Sequence, residues 1–220
     1  ELAPAEVARV YDARANRRKA RHAMVRPEIG CYLSHYALWQ QIASGEAEGA
    51  VIFEDDFRAE PHLAAVLAQL QQDPGGWDMV KLYSARVLPK LVSARELLPG
   101  VQLAVPWKVP STTLGYVIRR NAARRLSEIS LPFARPIDED HKFFWEFGLK
   151  IAVVLPPPLR FGVQDAATGT ITEARLKARG AGAGGTLNQA LRGLRYRIGY
   201  LIALHWNRWR GASAAGNKRA

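Results

Sequence analysis

Apolar residues along this chain fall into two kinds of segment, and their alternation predicts an α/β fold. Mainly apolar runs, typical of buried strands, lie at 50–53, 77–83, 112–118 and 149–155. Segments with apolar residues every three or four positions, typical of helices, lie at 32–42, 61–72 and 119–129. Because helices and strands alternate, we expect a mostly parallel sheet flanked by helices. In the proline-rich segment 84–111 we predict only an edge strand, at 101–105.

Three consecutive carboxylates, Glu54, Asp55 and Asp56, follow the first predicted strand. Open α/β sheets bind their ligands beyond the carboxyl ends of the strands. Adjacent negative charges repel one another, so a fold that keeps three of them together is expected to use them. We predict a site for a hard divalent cation, Mg²⁺ or Mn²⁺, completed by phosphate and water. A solvated acidic turn is the structural alternative.

A second acidic cluster, Asp138, Glu139 and Asp140, precedes the aromatic segment 142–147, which we predict to be helical. Asp138 suits the N-cap position, and the helix dipole favours the other two acids in the first turn. This account does not exclude a catalytic one, in which one of these carboxylates acts as a general base close to His141.

Small and polar residues surround the predicted start of the helix at 32–42. Gly30 would let a ligand approach the exposed N–H groups there, and Ser34 and His35 lie in the first turns. Such a helix start suits a phosphate or a carboxylate. A single histidine in this position is more often a packed structural residue, and for His35 we favour that interpretation.

Length and cysteine content narrow the class of protein. At 220 residues, the chain is expected to form one domain, or one domain with an appendage. Its single cysteine, Cys31, excludes an internal disulfide and a cysteine-based zinc site, and it is compatible with a reducing compartment. No apolar run approaches the roughly 18 residues of a membrane-spanning helix, and no secretory signal is visible.

The positive charge is concentrated at the end of the chain. The formal net charge is +11, yet residues 174–220 contain ten Lys and Arg and no acid. The remainder therefore holds 31 − 10 = 21 basic residues against 20 acidic ones. A nearly neutral body argues against a nucleic-acid-binding core.

The basic tail has an apolar periodicity of its own. After a glycine-rich linker at 173–186, the segment 187–210 predicts a basic amphipathic helix that includes Arg192, Arg195, Trp206 and Trp209. We expect these four residues to contact an anionic membrane surface. Packing of the helix on the body is an equally good alternative, and nucleic-acid binding ranks below both.

Several motifs together resemble glycosyltransferase family 25, which includes the bacterial lipooligosaccharide galactosyltransferases. The similarity spans about residues 25–172, and four motifs in order support it more than any one alone. The first motif comprises Glu28-Ile29-Gly30-Cys31 and Leu33-Ser34-His35 with Trp39, and the second is Glu54-Asp55-Asp56. The third is Gly115-Tyr116-Val117-Ile118, and the last comprises Pro136-Ile137-Asp138 and Gly169-Thr170-Ile171.

The resemblance implies a GT-A-like domain over residues 1–172 and a UDP-sugar donor, usually UDP-galactose. The acceptor would be a lipooligosaccharide or another surface glycan, and the enzyme would be cytoplasmic, on the inner face of the membrane. Glu54 and Asp56 resemble the metal-holding pair, and Asp55 would bind metal or sugar. Gly30, Ser34 and His35 would, with Asp55, contact the donor. Asp138, or else Asp140, would then deprotonate the acceptor in an inverting reaction.

The resemblance has one departure that bears on activity. The family normally begins with a strand carrying an Asn-Leu-Asp-Arg type motif, which is absent here, so we expect a truncated or degenerate member. A non-catalytic, membrane-associated binding or scaffold protein is therefore the main rival hypothesis. A metal-dependent phosphoesterase is the second rival, but the five histidines show no paired metal-ligand spacing.

Overall fold

The computed structural model describes residues 3–85, 89–162 and 186–216, with side chains in the last range for 188–210. The helices are α1 (Pro4–Val10), α2 (Ala13–Lys19), α3 (Arg26–Ser44), α4 (Leu63–Gln72), α5 (Arg120–Ile129), α6 (Ile137–Lys142) and α7 (Thr186–Gly216). The strands are β1 (Gly49–Phe53), β2 (Phe57–Ala59), β3 (Met79–Lys81), β4 (Leu91–Leu98), β5 (Val101–Pro106), β6 (Gly115–Arg119), β7 (Ile151–Leu155) and β8 (Leu159–Phe161).

Six strands form one mixed sheet in the order β1-β6-β3-β7-β5-β4. Only β3 and β7 pair in parallel within this sheet, and the other four pairings are antiparallel. Strands β2 and β8 form a separate antiparallel pair. The α/β class is therefore confirmed, whereas the prediction of a mostly parallel sheet is wrong.

The physical reason is that an apolar run does not report strand direction. A strand covered on both faces is continuously apolar whether its neighbours run parallel or antiparallel. The proline-rich segment also holds an antiparallel hairpin, β4–β5, where only an edge strand at 101–105 was expected. In the sheet, β5 is internal, and the edges are β4 and β1.

Helices cover both faces of the sheet, so the body has three layers. Successive residues of β3 show this: Met79 packs with α3 and α5 residues, including Trp39 and Leu126. Val80 points the other way and joins the cluster that contains Val66 of α4. This alternation is the two-residue period of a strand buried on both faces.

The C-terminal helix α7 forms as predicted but is longer, and one of its faces packs on the body. Tyr196, Tyr200 and Leu204 are buried there against Phe143, with Trp145 beside them. The linker at 173–186 and the motif Gly169-Thr170-Ile171 lie outside the described residues, except for Thr186 at the start of α7. Among the described helices, none combines the length and apolarity that crossing a membrane requires.

Candidate active site

The two acidic clusters, far apart in sequence, meet at one open pocket of about 180 Å³. Strand β1 ends at Phe53, which pairs with Gly115 at the start of β6, so Glu54 lies beside the segment that precedes β6. The Glu54 amide donates to the Leu114 carbonyl at 3.1 Å and fixes that arrangement. The lining residues are Glu28, Cys31, Glu54, Asp56, Ser111, Thr112, Thr113, Leu114, Pro136, Ile137, Asp138 and Phe161.

Glu54 is oriented by two side chains, both acting on its Oε1. Thr113 donates its hydroxyl to this oxygen, and His35 Nε2 lies 3.4 Å from it. Burial opposes the charge on Glu54, but the hydrogen bonds from His35 and Thr113 outweigh it and hold the pKa of Glu54 below its ordinary value. The carboxylate is therefore ionised at neutral pH.

A buried chain of hydrogen bonds positions His35 behind Glu54. The indole N–H of Trp39 donates to the Tyr116 oxygen at 3.0 Å, and that oxygen lies 2.8 Å from His35 Nδ1. A carboxylate only accepts, so in the neutral ring Nε2 carries the proton and donates to Glu54. Nδ1 then accepts from the Tyr116 hydroxyl. His35 is thus a packed, hydrogen-bonded residue that reaches the pocket through Glu54.

The residues present suit a hard cation better than a soft one. Glu54 and Asp56 both line the pocket and offer oxygen ligands, which Mg²⁺ and Mn²⁺ prefer. Cys31, His35 and Glu54 also place ligand atoms within 4.8 Å of one another. Burial, followed by the charges of nearby acids that include Glu54, raises the pKa of Cys31 to about 12. Its thiol is therefore protonated at neutral pH in this environment.

Asp138 lies on the pocket wall at the start of α6. The helix begins two residues earlier than the N-cap prediction required, since Pro136 rather than Asp138 occupies the N-cap position. Asp138 is consequently in the first turn, half-buried, with its side chain facing the same pocket as Glu54. The aromatic segment expected to be helical at 142–147 forms turns after Lys142 instead.

Asp140, two residues further on, is buried behind the wall and does not line the pocket. Its Oδ1 accepts from Arg135 Nε at 2.6 Å, and its Oδ2 accepts from the Tyr32 hydroxyl at 2.8 Å. Arg135 also donates twice to Glu146. Burial raises the pKa of Asp140, and the Arg135 guanidinium offsets part of that rise. This arrangement makes Asp140 a structural residue that joins α6 to α3.

A buried lysine below the pocket was not predicted from the sequence. Lys81 Nζ donates to the Thr112 carbonyl and contacts His141 Nδ1, each at 2.6 Å. Burial lowers the pKa of Lys81 to about 7, and the charges of Asp138 and Glu54 offset part of the effect. The sequence feature that could have identified it is a single lysine within a mainly apolar strand. Glu28 was also missed as a lining residue, and its side chain accepts from the Val25 amide at 2.8 Å.

None of the four residues predicted to bind the donor, Gly30, Ser34, His35 and Asp55, lines the pocket. Helix α3 begins at Arg26, so Gly30 and Ser34 lie inside the helix rather than at its start. Ser34 is exposed and donates to the Gly30 carbonyl at 3.1 Å. Asp55 is exposed in the β1–β2 turn, between the two acids that line the pocket. The predicted exposure of helix N–H groups near Gly30 is therefore wrong.

The four predicted membrane contacts divide into two groups. Arg192 is a correction, because its guanidinium donates to the carbonyls of Ala20 and Asn16 at 2.8 and 2.9 Å and holds α7 on the body. Arg195, Trp206 and Trp209 are exposed. They remain available to a partner surface.

A second, larger cavity of about 740 Å³ adjoins the first. The two share Ser111, Thr112 and Phe161 in their linings. The far wall of the second cavity comes from α7, through Tyr200, Leu201 and His205, and from lysines on the body, which are Lys90, Lys108 and Lys142. The acidic pocket and the larger cavity lined by lysines are therefore adjacent.

Comparison with known proteins finds that the N-terminal part of the chain is similar to one family. Residues 4–89 match the model of glycosyltransferase family 25 (LPS biosynthesis protein). The human inactive glycosyltransferase 25 family member 3 is 34% identical over 122 residues, which are 53% of this chain and 20% of that protein.

Relatives with a named activity match to a similar degree. Human procollagen galactosyltransferase 2 is 32% identical over 120 residues, covering 53% of this chain and 19% of that protein. Procollagen galactosyltransferase 1-A of Xenopus laevis is 33% identical over 121 residues, covering 53% of this chain and 20% of that protein. The chain thus spans about a fifth of the length of the curated relatives it matches.

Proposed function

We propose that this chain is a member of glycosyltransferase family 25, whose model matches residues 4–89, and that its acidic pocket transfers a hexose from a nucleotide-sugar donor to an acceptor hydroxyl. The single observation that carries the proposal is the convergence of Glu54, Asp56 and Asp138 on one pocket. The donor we propose is UDP-galactose, in keeping with the galactosyltransferases among the relatives. For the acceptor we propose a bacterial lipooligosaccharide or another surface glycan, and for the domain a GT-A-like fold.

Glu54 and Asp56 are the residues that would hold Mg²⁺ or Mn²⁺, which when bound supplies positive charge to the diphosphate leaving group. Thr113 and His35 keep Glu54 ionised and fix its rotamer, since both act on Oε1. Lys81 and His141 lie beneath and support the backbone at Thr112.

Asp138 is the residue we assign as the general base. In an inverting transfer, the acceptor oxygen forms a bond to the anomeric carbon while the bond to the phosphate oxygen breaks. The acceptor's proton passes to the Asp138 carboxylate, and the electron pair leaves with the nucleoside diphosphate. Asp140 is not a candidate for this step, because both of its oxygens accept hydrogen bonds from buried donors.

The test is calorimetric titration of UDP, and then UDP-galactose, with and without Mn²⁺. We expect manganese-dependent binding that is lost in Asp56→Ala and retained in Asp55→Ala. The two carboxylates are adjacent in sequence, but only Asp56 lines the pocket, so Asp55→Ala is a matched control. Binding that survives Asp56→Ala, or that fails equally in both variants, would refute the metal assignment.

A non-catalytic member of the family is the second candidate, and the similarity to proteins described as inactive favours it. The two candidates differ at Asp138. In a transferase, Asp138→Asn keeps UDP binding and stops sugar transfer. In a scaffold, the unaltered chain binds its partners but turns over no UDP-galactose with any glycan acceptor.

A further inference from the structure

Helix α7 has two apolar faces, and only one of them is covered by the body. The covered face carries Tyr196, Tyr200 and Leu204. The opposite face carries an exposed row, which we call the α7 stripe, formed by Leu191, Leu194, Ile198, Ile202, Trp206 and Trp209. Leu191 and Trp209 are separated by about five helical turns, so the stripe runs straight along the helix for roughly 27 Å.

The α7 stripe is too continuous to be ordinary surface. Each of its six side chains is half or more exposed, and Ile202 and Trp209 reach 66% and 62%. Single exposed apolar residues are common on soluble proteins, but a contiguous row marks an interaction site. Two tryptophans at one end of the row are typical of helices that lie in the interface of a lipid bilayer.

The charges around the stripe define the kind of partner. Arg195, Arg197 and Arg210 are exposed beside it, and residues 186–216 contain no Asp or Glu. The fold adds a second basic group, because α2 packs against the side of α7 that carries Arg192 and Arg195. Helix α2 and the loop after it expose Arg17, Arg18, Lys19 and Arg21. Apolar residues bordered by cations on two elements complement an anionic lipid surface.

We propose that the chain docks on an anionic bilayer through the α7 stripe, with the helix lying in the plane of the interface. The arginines beside the stripe and the basic residues of α2 then meet the lipid head groups. Arg192 and Arg208 do not take part, since they are half-buried and hold α7 in place through the backbone carbonyls of the body. Arg195 is exposed, and its contact with the Arg18 carbonyl is longer, at 3.4 Å. The cytoplasmic leaflet is the location that we propose, because it carries anionic lipids.

Docking through the stripe also indicates which class of acceptor the pocket would use. This inference rests on the proposed function. Leu201 flanks the stripe and also lines the second cavity, together with Tyr200 and His205. The cavity therefore borders the lipid surface on one side and joins the acidic pocket on the other. Lys90, Lys108 and Lys142 line it and suit an anionic head group. The acceptor class that fits is a lipid-anchored glycan with a negatively charged head.

The experiment is co-sedimentation of the full chain with phosphatidylcholine vesicles, with and without a minority of phosphatidylglycerol. We expect binding that depends on phosphatidylglycerol and weakens with added salt. The double variant Ile202→Ser and Trp209→Ser should bind about tenfold more weakly, through lost apolar burial. Arg197→Gln should bind about fivefold more weakly to the anionic vesicles alone.

Ile129→Ser is the matched control, because Ile129 is an apolar residue 52% exposed on α5 and is not part of the α7 stripe. It should leave vesicle binding unchanged. Equal binding by the double variant, or binding to neither vesicle, overturns the proposal. So does a dimer in solution that the double variant converts to a monomer, since the stripe would then serve a second copy of the chain.

The failure of docking and the failure of the transferase are separable. Manganese-dependent UDP binding in the double variant tests the pocket without the membrane. Vesicle binding by Asp56→Ala tests the membrane without the pocket. Loss of one with retention of the other identifies the proposal that is wrong.

Discussion

The stability of two variants separates a structural carboxylate, Asp140, from the one proposed as the general base, Asp138. In Asp140→Ala, Arg135 Nε and the Tyr32 hydroxyl lose the acceptor that each now contacts at 2.6 and 2.8 Å. Both donors lie in the interior, and a buried donor without a partner costs about 1–3 kcal/mol. Arg135 keeps its two bonds to Glu146. We therefore expect unfolding to become easier by about 3 kcal/mol, at the lower end of the range for breaking a buried ion pair.

The variant Asp140→Asn tests how much of this loss of stability comes from the charge of Asp140. Burial raises the pKa of Asp140, which means that its negative charge is itself costly in the folded state. Asp140→Asn removes that charge and keeps an acceptor for Arg135. Its cost should therefore be smaller than that of alanine, about 1 kcal/mol.

The assay is urea unfolding followed by tryptophan fluorescence, with the midpoint compared at constant slope. Asp138→Ala is the control, because Asp138 is half-buried on the pocket wall. Its expected cost is below about 1 kcal/mol. Equal losses for the two alanine variants, or a loss below about 1 kcal/mol in Asp140→Ala, would refute the division of roles.

Two further predictions concern Lys81 and a pair of glycines. Burial lowers the pKa of Lys81 from 10.5 to about 7, so between these values the unfolded chain binds a proton that the folded chain has released. The free energy of unfolding of the unaltered chain, relative to that of Lys81→Met, should therefore rise by about 1.4 kcal/mol per pH unit. A difference between the two proteins that is the same at pH 7.5 and at pH 9 would contradict this. Gly30→Ala should stabilise by about 0.5–1 kcal/mol, since Gly30 lies inside α3 with nothing within 4 Å of the added methyl. Gly49→Ala should destabilise, because its methyl would lie 2.5 Å from the Ile118 carbonyl oxygen of the paired strand; thermal melts of both variants test the sign.

Most helices and strands were predicted from the sequence, because the spacing of apolar residues that marks them lies within each segment. The helices at α3, α4 and α5 follow from apolar spacing, and the strands β1, β3, β6 and β7 follow from apolar runs. The short strands β2 and β8 were missed, since each has three residues and pairs only with the other. Strand direction was also mispredicted, because pairing partners lie far apart in the chain and leave no mark on an apolar run.

At the candidate site, too, local sequence predicted some features, and others depended on tertiary structure. The resemblance to the family and the candidate acids Glu54, Asp56 and Asp138 came from the sequence, because carboxylates clustered after a predicted buried strand are a local pattern. The sequence ranked Asp138 ahead of Asp140 only through the resemblance, and it did not exclude Asp55 as a metal ligand.

Tertiary structure made those distinctions, because they depend on which way each side chain points. Asp140 turns toward Arg135 and Tyr32, whereas Asp138 faces the pocket. The helical tail was likewise predicted from its periodicity. Only packing decided that Arg192 binds the body and that the stripe ending at Trp209 stays exposed, since a helix with two apolar faces can bury either one.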